Sequence, residues 1–215
     1  MRLAALCVLL AACSSSKSKD SEGAPPPPDP GKRIGIDPRD WTCDVLTTPA
    51  VLSEALGAPT REIDNNMPTP PGVPRPCTYV VEVVPGQQEP WSYDLDCRDG
   101  AVKTAEILFK QYQDDSARLV AAYAEASAGK PIIDDAGVAL PAPGAAFEVA
   151  VGRRGLDHHG QGILFVDDDA ACYVRVVGKD PARRLALATL VAGKLKPSTA
   201  PMRPRYAAPT DSTTP

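Results

Sequence analysis

Cys77-Thr78-Tyr79-Val80-Val81-Glu82-Val83-Val84, then Pro85-Gly86, then Trp91-Ser92-Tyr93-Asp94-Leu95-Asp96-Cys97, is the stretch on which the fold turns. Both runs are rich in β-branched and aromatic residues, and the connection from Pro85-Gly86 to Pro90 is made of turn formers. They read as an antiparallel pair of strands. After the turn at Asp99-Gly100 the apolar period lengthens. Ala105, Leu108, Phe109, Tyr112, Ser116, Leu119, Val120 and Tyr123 recur at helical spacing, which predicts a helix over 101–128 with one buried face, interrupted at Asp114-Asp115.

Upstream, Thr48 offers a capping hydroxyl before Pro49, and Val51, Leu52, Ala55 and Leu56 make an apolar stripe that Gly57 ends. This is a short helix over 49–56. Residues 64–76 hold five prolines and no periodicity, so they form a long irregular loop. Downstream, three more strands are expected at about 146–151, 162–166 and 171–177. Asp180-Pro181 then opens a last helix whose apolar side is Leu185, Ala188, Leu190, Val191 and Leu195. The element order suits an α+β domain over 41–196, an antiparallel sheet of about five strands with helices packed on it.

Four cysteines fall in this domain, Cys43, Cys77, Cys97 and Cys172. In an exported domain an even set reads as a disulfide framework, here with three possible pairings. Cys43 with Cys77 is favoured, just before the first helix and at the start of the first strand, which leaves Cys97 with Cys172 between two strands. No C-x-x-C spacing supports a zinc or redox site.

The flanks differ in kind. Met1-Arg2 and the apolar run Leu3 to Ala12 have the form of an export signal over 1–12, too short to span a bilayer as a helix. Leu10-Ala11-Ala12-Cys13 resembles the lipobox of bacterial lipoproteins, in which the cysteine receives diacylglyceryl lipid before cleavage on its N-terminal side. That implies a membrane anchor on Cys13, since acyl chains hold by about 0.8 kcal/mol per buried methylene. Ser14 after the cysteine resembles the pattern sorted to the outer membrane, if the cell has one. Residues 13–40, with Pro25 to Pro28, read as a disordered tether reaching about 30 Å, and 197–215 as a disordered Pro/Thr-rich tail. The formal net charge of −4, without a basic run, argues against nucleic acid and anionic lipid as partners.

Cys43-Asp44-Val45-Leu46-Thr47-Thr48-Pro49, then Leu56-Gly57, then Cys77-Thr78-Tyr79 resembles the opening of a family of small bacterial lipoproteins of unknown function, best known in actinobacteria, that share a PsbP-like fold. In that pattern a cysteine and "LLT" lead into a helix ending in "LG", and a later cysteine precedes an aromatic strand. Val138 to Phe147 resembles the family's "LGDEA" segment, with departures, and Ala182 to Leu195 its closing helix. The resemblance covers about 41–195 and implies a fold and an extracytoplasmic address. It implies no reaction and no cofactor.

Chemistry has few candidates. Asp157, His158 and His159 lie in a glycine-rich stretch between Gly152 and Gly162, where a solvated hairpin loop competes with a metal or hydrolytic site. Adjacent side chains on an extended backbone point apart, which favours the loop. Asp94 to Gly100 reads as a strand end and turn, because its glycine falls one place late for a calcium loop and no Glu closes it. Asp167-Asp168-Asp169 reads as an acidic hairpin turn. No nucleophile elbow, P-loop or dinucleotide fingerprint occurs. The expectation is a non-enzymatic envelope module that binds a protein or small ligand on its sheet or at 64–76. A structural or assembly lipoprotein is the second reading, and a metal-dependent hydrolase using Asp157, His158 and His159 the third.

Overall fold

The computed structural model describes residues 33–158, 162–202 and 205–206. The export signal, Cys13 and His159 lie outside the described residues. The described elements in chain order are β1 (Arg33–Ile34), α1 (Pro49–Leu56), β2 (Thr60–Ile63), β3 (Cys77–Val84), β4 (Gln87–Asp96), α2 (Ala101–Ser127), β5 (Phe147–Val149), β6 (Arg154–His158), β7 (Gly162–Val166), β8 (Tyr173–Val177), α3 (Pro181–Lys194) and β9 (Arg205–Tyr206). One 3-10 turn, Cys43–Val45, precedes α1.

Strand alternation sorts the side chains onto two faces. Tyr79 and Val81 of β3, Trp91, Tyr93 and Leu95 of β4, and Val174 and Val176 of β8 are buried on one face, against Leu52 and Leu56 of α1 and Leu187, Ala188 and Val191 of α3. On the other face, Ala105 and Phe109 of α2 pack on Leu156, Leu164 and Val166. β7 lies beneath helices on both sides, so all five of its residues, Gly162 to Val166, are buried and its sequence is apolar without alternation. The antiparallel sheet runs β2-β3-β4-β8-β7-β6-β5.

Seven strands therefore replace the expected five or so, and the two missed ones share a cause. β2, Thr-Arg-Glu-Ile, is an edge strand with no apolar alternation; its pairing with β3, Arg61 opposite Val80 and Ile63 opposite Thr78, defines it. β6 lies in the stretch expected to be a solvated glycine-rich loop, yet four of its five residues are buried. Gly155 there serves close approach, since a Cβ would sit 2.9 Å from the Val149 carbonyl oxygen and 3.0 Å from that of Val151. The β3–β4 hairpin is also tighter than expected: β4 begins at Gln87, directly after the turn that Gly86 makes at φ 81°.

The helices follow their local signals more closely. In α1, Thr48 caps Val51 N–H, Pro49 opens the first turn and Gly57 closes it at φ 64°. Asp180 caps α3 through Arg183 N–H at 2.8 Å, although Leu185, expected on the buried side, is 40% exposed. α2 runs without the expected interruption: Asp114 and Asp115 lie within the continuous helix, and Arg118 pairs with Asp115 one turn on. Its buried line runs from Ala101 through Ala105 and Phe109 to Ser116 and stops there, because the helix outruns the sheet and leaves Leu119 53% exposed.

Parts of both expected disordered flanks are structured. β1 pairs with β9, Ile36 N–H donates to Ala200 C=O at 3.0 Å, and Trp41 Nε1 donates to Thr199 C=O at 2.9 Å. Ala200 and Met202 are buried. Neither segment has internal periodicity, and each supplies the other's hydrogen-bond partners from the far end of the chain, so neither was legible alone.

Disulfides join Cys43 to Cys77 and Cys97 to Cys172. Two such bonds belong to an oxidising compartment outside the cytoplasm. No helix among the described residues is long and apolar enough to cross a membrane.

One packing prediction arises here. A Cβ on Gly178 would lie 2.1 Å from Cε3 of Trp91, a ring that is 1% exposed and has nowhere to go. Gly178→Ala is expected to destabilise the domain by about 1–3 kcal/mol, the cost of overpacking a filled core. Urea unfolding followed by tryptophan fluorescence would measure it, and an unchanged midpoint would remove the argument.

Candidate binding groove

The residues singled out for chemistry are dispersed by the strand that carries them. Asp157 and His158 are adjacent on β6 and point to opposite faces of the sheet. Asp157 meets α3, where Arg184 Nη2 donates to Oδ1 and to Oδ2 at 3.0 Å each, and both side chains are 3% exposed. Arg184 Nη1 also donates to the Gly178 and Lys179 carbonyls at 2.7 and 3.1 Å, tying the β8–α3 connection to the sheet. His158 turns to α2 instead, with its ring 5.0 Å from that of Tyr112. The expectation that Asp157 and His158 share a solvated loop or a metal site is thus corrected. Asp157 is consumed by a buried ion pair, and the two side chains lie on different sides of a strand. Among the described residues no three His, Cys, Asp or Glu side chains converge as metal ligands would.

The other acidic candidates are structural too. Asp167 accepts from Asp169 N–H at 3.0 Å and Ala170 N–H at 2.7 Å, closing the β7–β8 turn; burial pushes its carboxyl above the usual range. Asp94 pairs with Arg175 at 2.9 Å across β4 and β8. Burial works against the Asp96 carboxylate, but the side-chain and backbone hydrogen bonds of Arg98 and its charge prevail and hold it below the usual range.

Two adjoining concavities of the surface lie at the loop pole. Residues 64–76 leave the edge strand β2 and end at the Cys77 disulfide, so both ends are fixed. Within the loop, Val73 N–H donates to Pro70 C=O at 3.1 Å with Gly72 at φ 83°, the arrangement of a type II turn with Pro71 at its first corner. Thr69 Oγ1 donates to Val73 C=O at 3.0 Å, Met67 N–H donates to Asn65 Oδ1 at 3.0 Å, and Asn65 Nδ2 donates to Thr78 Oγ1 at 3.1 Å. A long proline-rich loop is here a fixed wall.

The facing wall is the structured end of the expected tether. Between Pro38 to Cys43 and the loop lies a cavity of about 680 Å³, with Glu62 and Asp64 at its β2 end. A second cavity of about 830 Å³ shares Pro38, Arg39, Pro71 and Gly72 with it and continues to Arg98, Asp99 and Met202. The two form one trench across the pole, with Cys43 and Cys97 in its lining, so each disulfide fixes one stretch of wall.

Behind the Cys43 wall, the Thr47 hydroxyl lies 2.6 Å from the Tyr93 hydroxyl and 3.0 Å from that of Tyr79, all of them buried. Burial raises the pKa of both tyrosines, which stay neutral, and the two rings stack with centroids 6.2 Å apart. This network holds the short 3-10 turn, and with it the groove wall, against the sheet.

Sequence reasoning singled out the loop and missed the opposite wall, because Asp37, Pro38 and Arg39 fall in a stretch read as tether. The pairing of that segment with 200–202, which places it, leaves no local trace. No protein-family model, no curated protein and no solved structure matches the chain.

Proposed function

We propose that the protein is a non-enzymatic binding module of the cell envelope, anchored by lipid on Cys13, that holds a protein segment or small ligand in the groove between residues 37–43 and 64–76. The observation that carries this reading is the way the proline-rich loop is held. It is fixed by a disulfide and a type II turn and opens a continuous trench without filling it. Pre-organised walls reduce the ordering cost of binding, and fixed loops on a stable scaffold are where binding sites concentrate. The lipobox-like Leu10-Ala11-Ala12-Cys13 supports the anchor. Two disulfides agree with an address outside the cytoplasm. We read the fold as PsbP-like because of the motifs at 43–49, 56–57 and 77–79, and that resemblance attaches no reaction to it.

The test is native mass spectrometry of the exported, oxidised protein purified in mild detergent from an envelope extract. The expected result is a retained additional mass that is lost in Pro71→Trp, which fills the trench from an exposed position lining both cavities. A stoichiometric envelope protein whose binding ignores Pro71→Trp would favour the structural or assembly reading instead. Cys13→Ala is expected to release the chain from the membrane fraction, and retention there would overturn the anchor.

A further inference from the structure

Helix α2 carries a second stripe, on the side away from the sheet. Ala101, Ala105, Phe109 and Ser116 are its buried line. Half a turn round, the first half of the helix presents Lys103, Ile107 and Lys110, and the second half presents Asp114, Ala117, Ala121 and Glu125, all of them exposed. Ile107, 62% exposed, stands between the two lysines. The chain returning from α2 leaves this stripe uncovered. It runs along the inner side of the second half, where Tyr123 Oη donates to Leu140 C=O at 3.2 Å, and where Ser116 Oγ donates to Gly144 C=O at 3.1 Å and accepts from Ala146 N–H at 2.6 Å. A shallow depression of about 460 Å³ follows the outer face from Lys103 to Arg118.

The charges of the stripe are sorted along its length. Glu106 and Arg118, at its margins, are taken by Arg154 and Asp115. Among the described residues no ion pair takes Lys103, Lys110, Asp114 or Glu125. The two lysines lie in the first half and the two carboxylates in the second, so the stripe is complementary to itself reversed. With two copies of α2 antiparallel about a two-fold axis level with Tyr112, each Lys110 faces the other copy's Asp114. Each Ile107 then faces Ala117 and Ala121, whose small side chains leave room for it, and each Lys103 lies one turn from Glu125. The overlap from Lys103 to Ala121 is about 27 Å long at 1.5 Å per residue. One helix per copy makes a narrow contact and a weak dimer, which anchoring by lipid on Cys13 would favour by concentrating the chains at one surface.

We infer that the protein pairs with a second copy of itself through the outer face of α2, the helices antiparallel, with two Lys110–Asp114 contacts at the centre and an Ile107 on either side of them. This inference is independent of the groove, whose lining includes no residue of α2.

Sedimentation equilibrium of the exported, oxidised protein in density-matched mild detergent, with micelles in excess, tests it. The expected result is a reversible monomer–dimer equilibrium that weakens with added salt. Lys110→Glu and Asp114→Lys each set like charges against one another twice, and each is expected to raise the dimer Kd about tenfold. The double variant Lys110→Glu/Asp114→Lys makes both contacts opposite in sign again and should return the Kd to near the wild-type value. Ile107→Gln keeps every charge and is also expected to weaken the dimer about tenfold. These positions are exposed on a helix held by its other face, so the helical circular dichroism of each variant should match that of the wild type. A monomer at every concentration, assembly beyond the dimer, single reversals that pair as tightly as the wild type, or a double variant that stays monomeric would each overturn the inference.

Discussion

Asp157→Ala is expected to destabilise the domain by about 3–5 kcal/mol, because it strands the Arg184 guanidinium in the protein interior without its carboxylate. Against a typical total of about 5–15 kcal/mol, that is enough to leave a large unfolded fraction at physiological temperature. The pair itself contributes little net stability, since desolvating two charges offsets most of their attraction. The diagnostic experiment is therefore the double variant Asp157→Leu/Arg184→Met. It removes both charges, so its unfolding midpoint should lie above that of Asp157→Ala. Recovery should be incomplete, because Arg184 also satisfies the Gly178 and Lys179 carbonyls. Urea unfolding monitored by circular dichroism gives both values. An Asp157→Ala protein within about 1 kcal/mol of wild type would contradict the ion pair as described, while a double variant no better than the single would mean that the carbonyl contacts of Arg184 dominate. An activity lost in Asp157→Ala would report unfolding and would not make Asp157 catalytic.

Removing either disulfide is the second large effect, and the two should differ in kind. Their sequence separations are 34 residues for Cys43–Cys77 and 75 for Cys97–Cys172. Loop-closure entropy in the unfolded chain then gives about 3.8 and about 4.5 kcal/mol respectively. Cys97→Ala/Cys172→Ala opens a link between adjacent central strands, so its loss should appear as a lower midpoint for the whole sheet. Cys43→Ala/Cys77→Ala instead frees the C-terminal end of the loop and the facing 3-10 turn together. Ligand retention should then fail at temperatures where the sheet is still folded. Hydrogen exchange across 64–76 would separate the cases: protection lost there alone in the Cys43/Cys77 variant is the expected pattern. Equal loss throughout both variants would deny that this disulfide holds the groove in particular.

Sequence and structure agree where a signal is short-range. Thr48, Pro49 and Gly57 carry start and stop within α1 itself, and Asp180-Pro181 does the same for α3. The apolar and aromatic alternation of β3 and β4 shows which side chains turn inward, and the spacing of Ala105, Phe109 and Ser116 shows the buried line of α2. What fails to appear locally is pairing between segments that have no periodicity of their own. β2 and β6 are strands because neighbouring strands complete their hydrogen bonds, and a glycine inside β6 imitates a loop while serving close approach to the 149–151 backbone.

The candidate site divides in the same way. Its loop was legible because five prolines between two elements exclude helix and strand, whatever lies around them. The opposite wall was not, because Asp37 to Arg39 follow directly on Ile36, which pairs with Ala200 and Pro201 from the far end of the chain. Asp157 shows the limit for chemistry. An Asp-His-His run has the composition of a metal or catalytic site, but a strand sends neighbours to opposite faces, and α3 delivers an arginine that the local sequence does not announce. The sequence by itself determined the helix ends, the central strand pair and the inventory of cysteines, because capping, periodicity and covalent chemistry act within a few residues. Tertiary structure alone decided the strand count, the partner of Asp157 and the second wall of the groove, because each depends on groups brought together from distant parts of the chain.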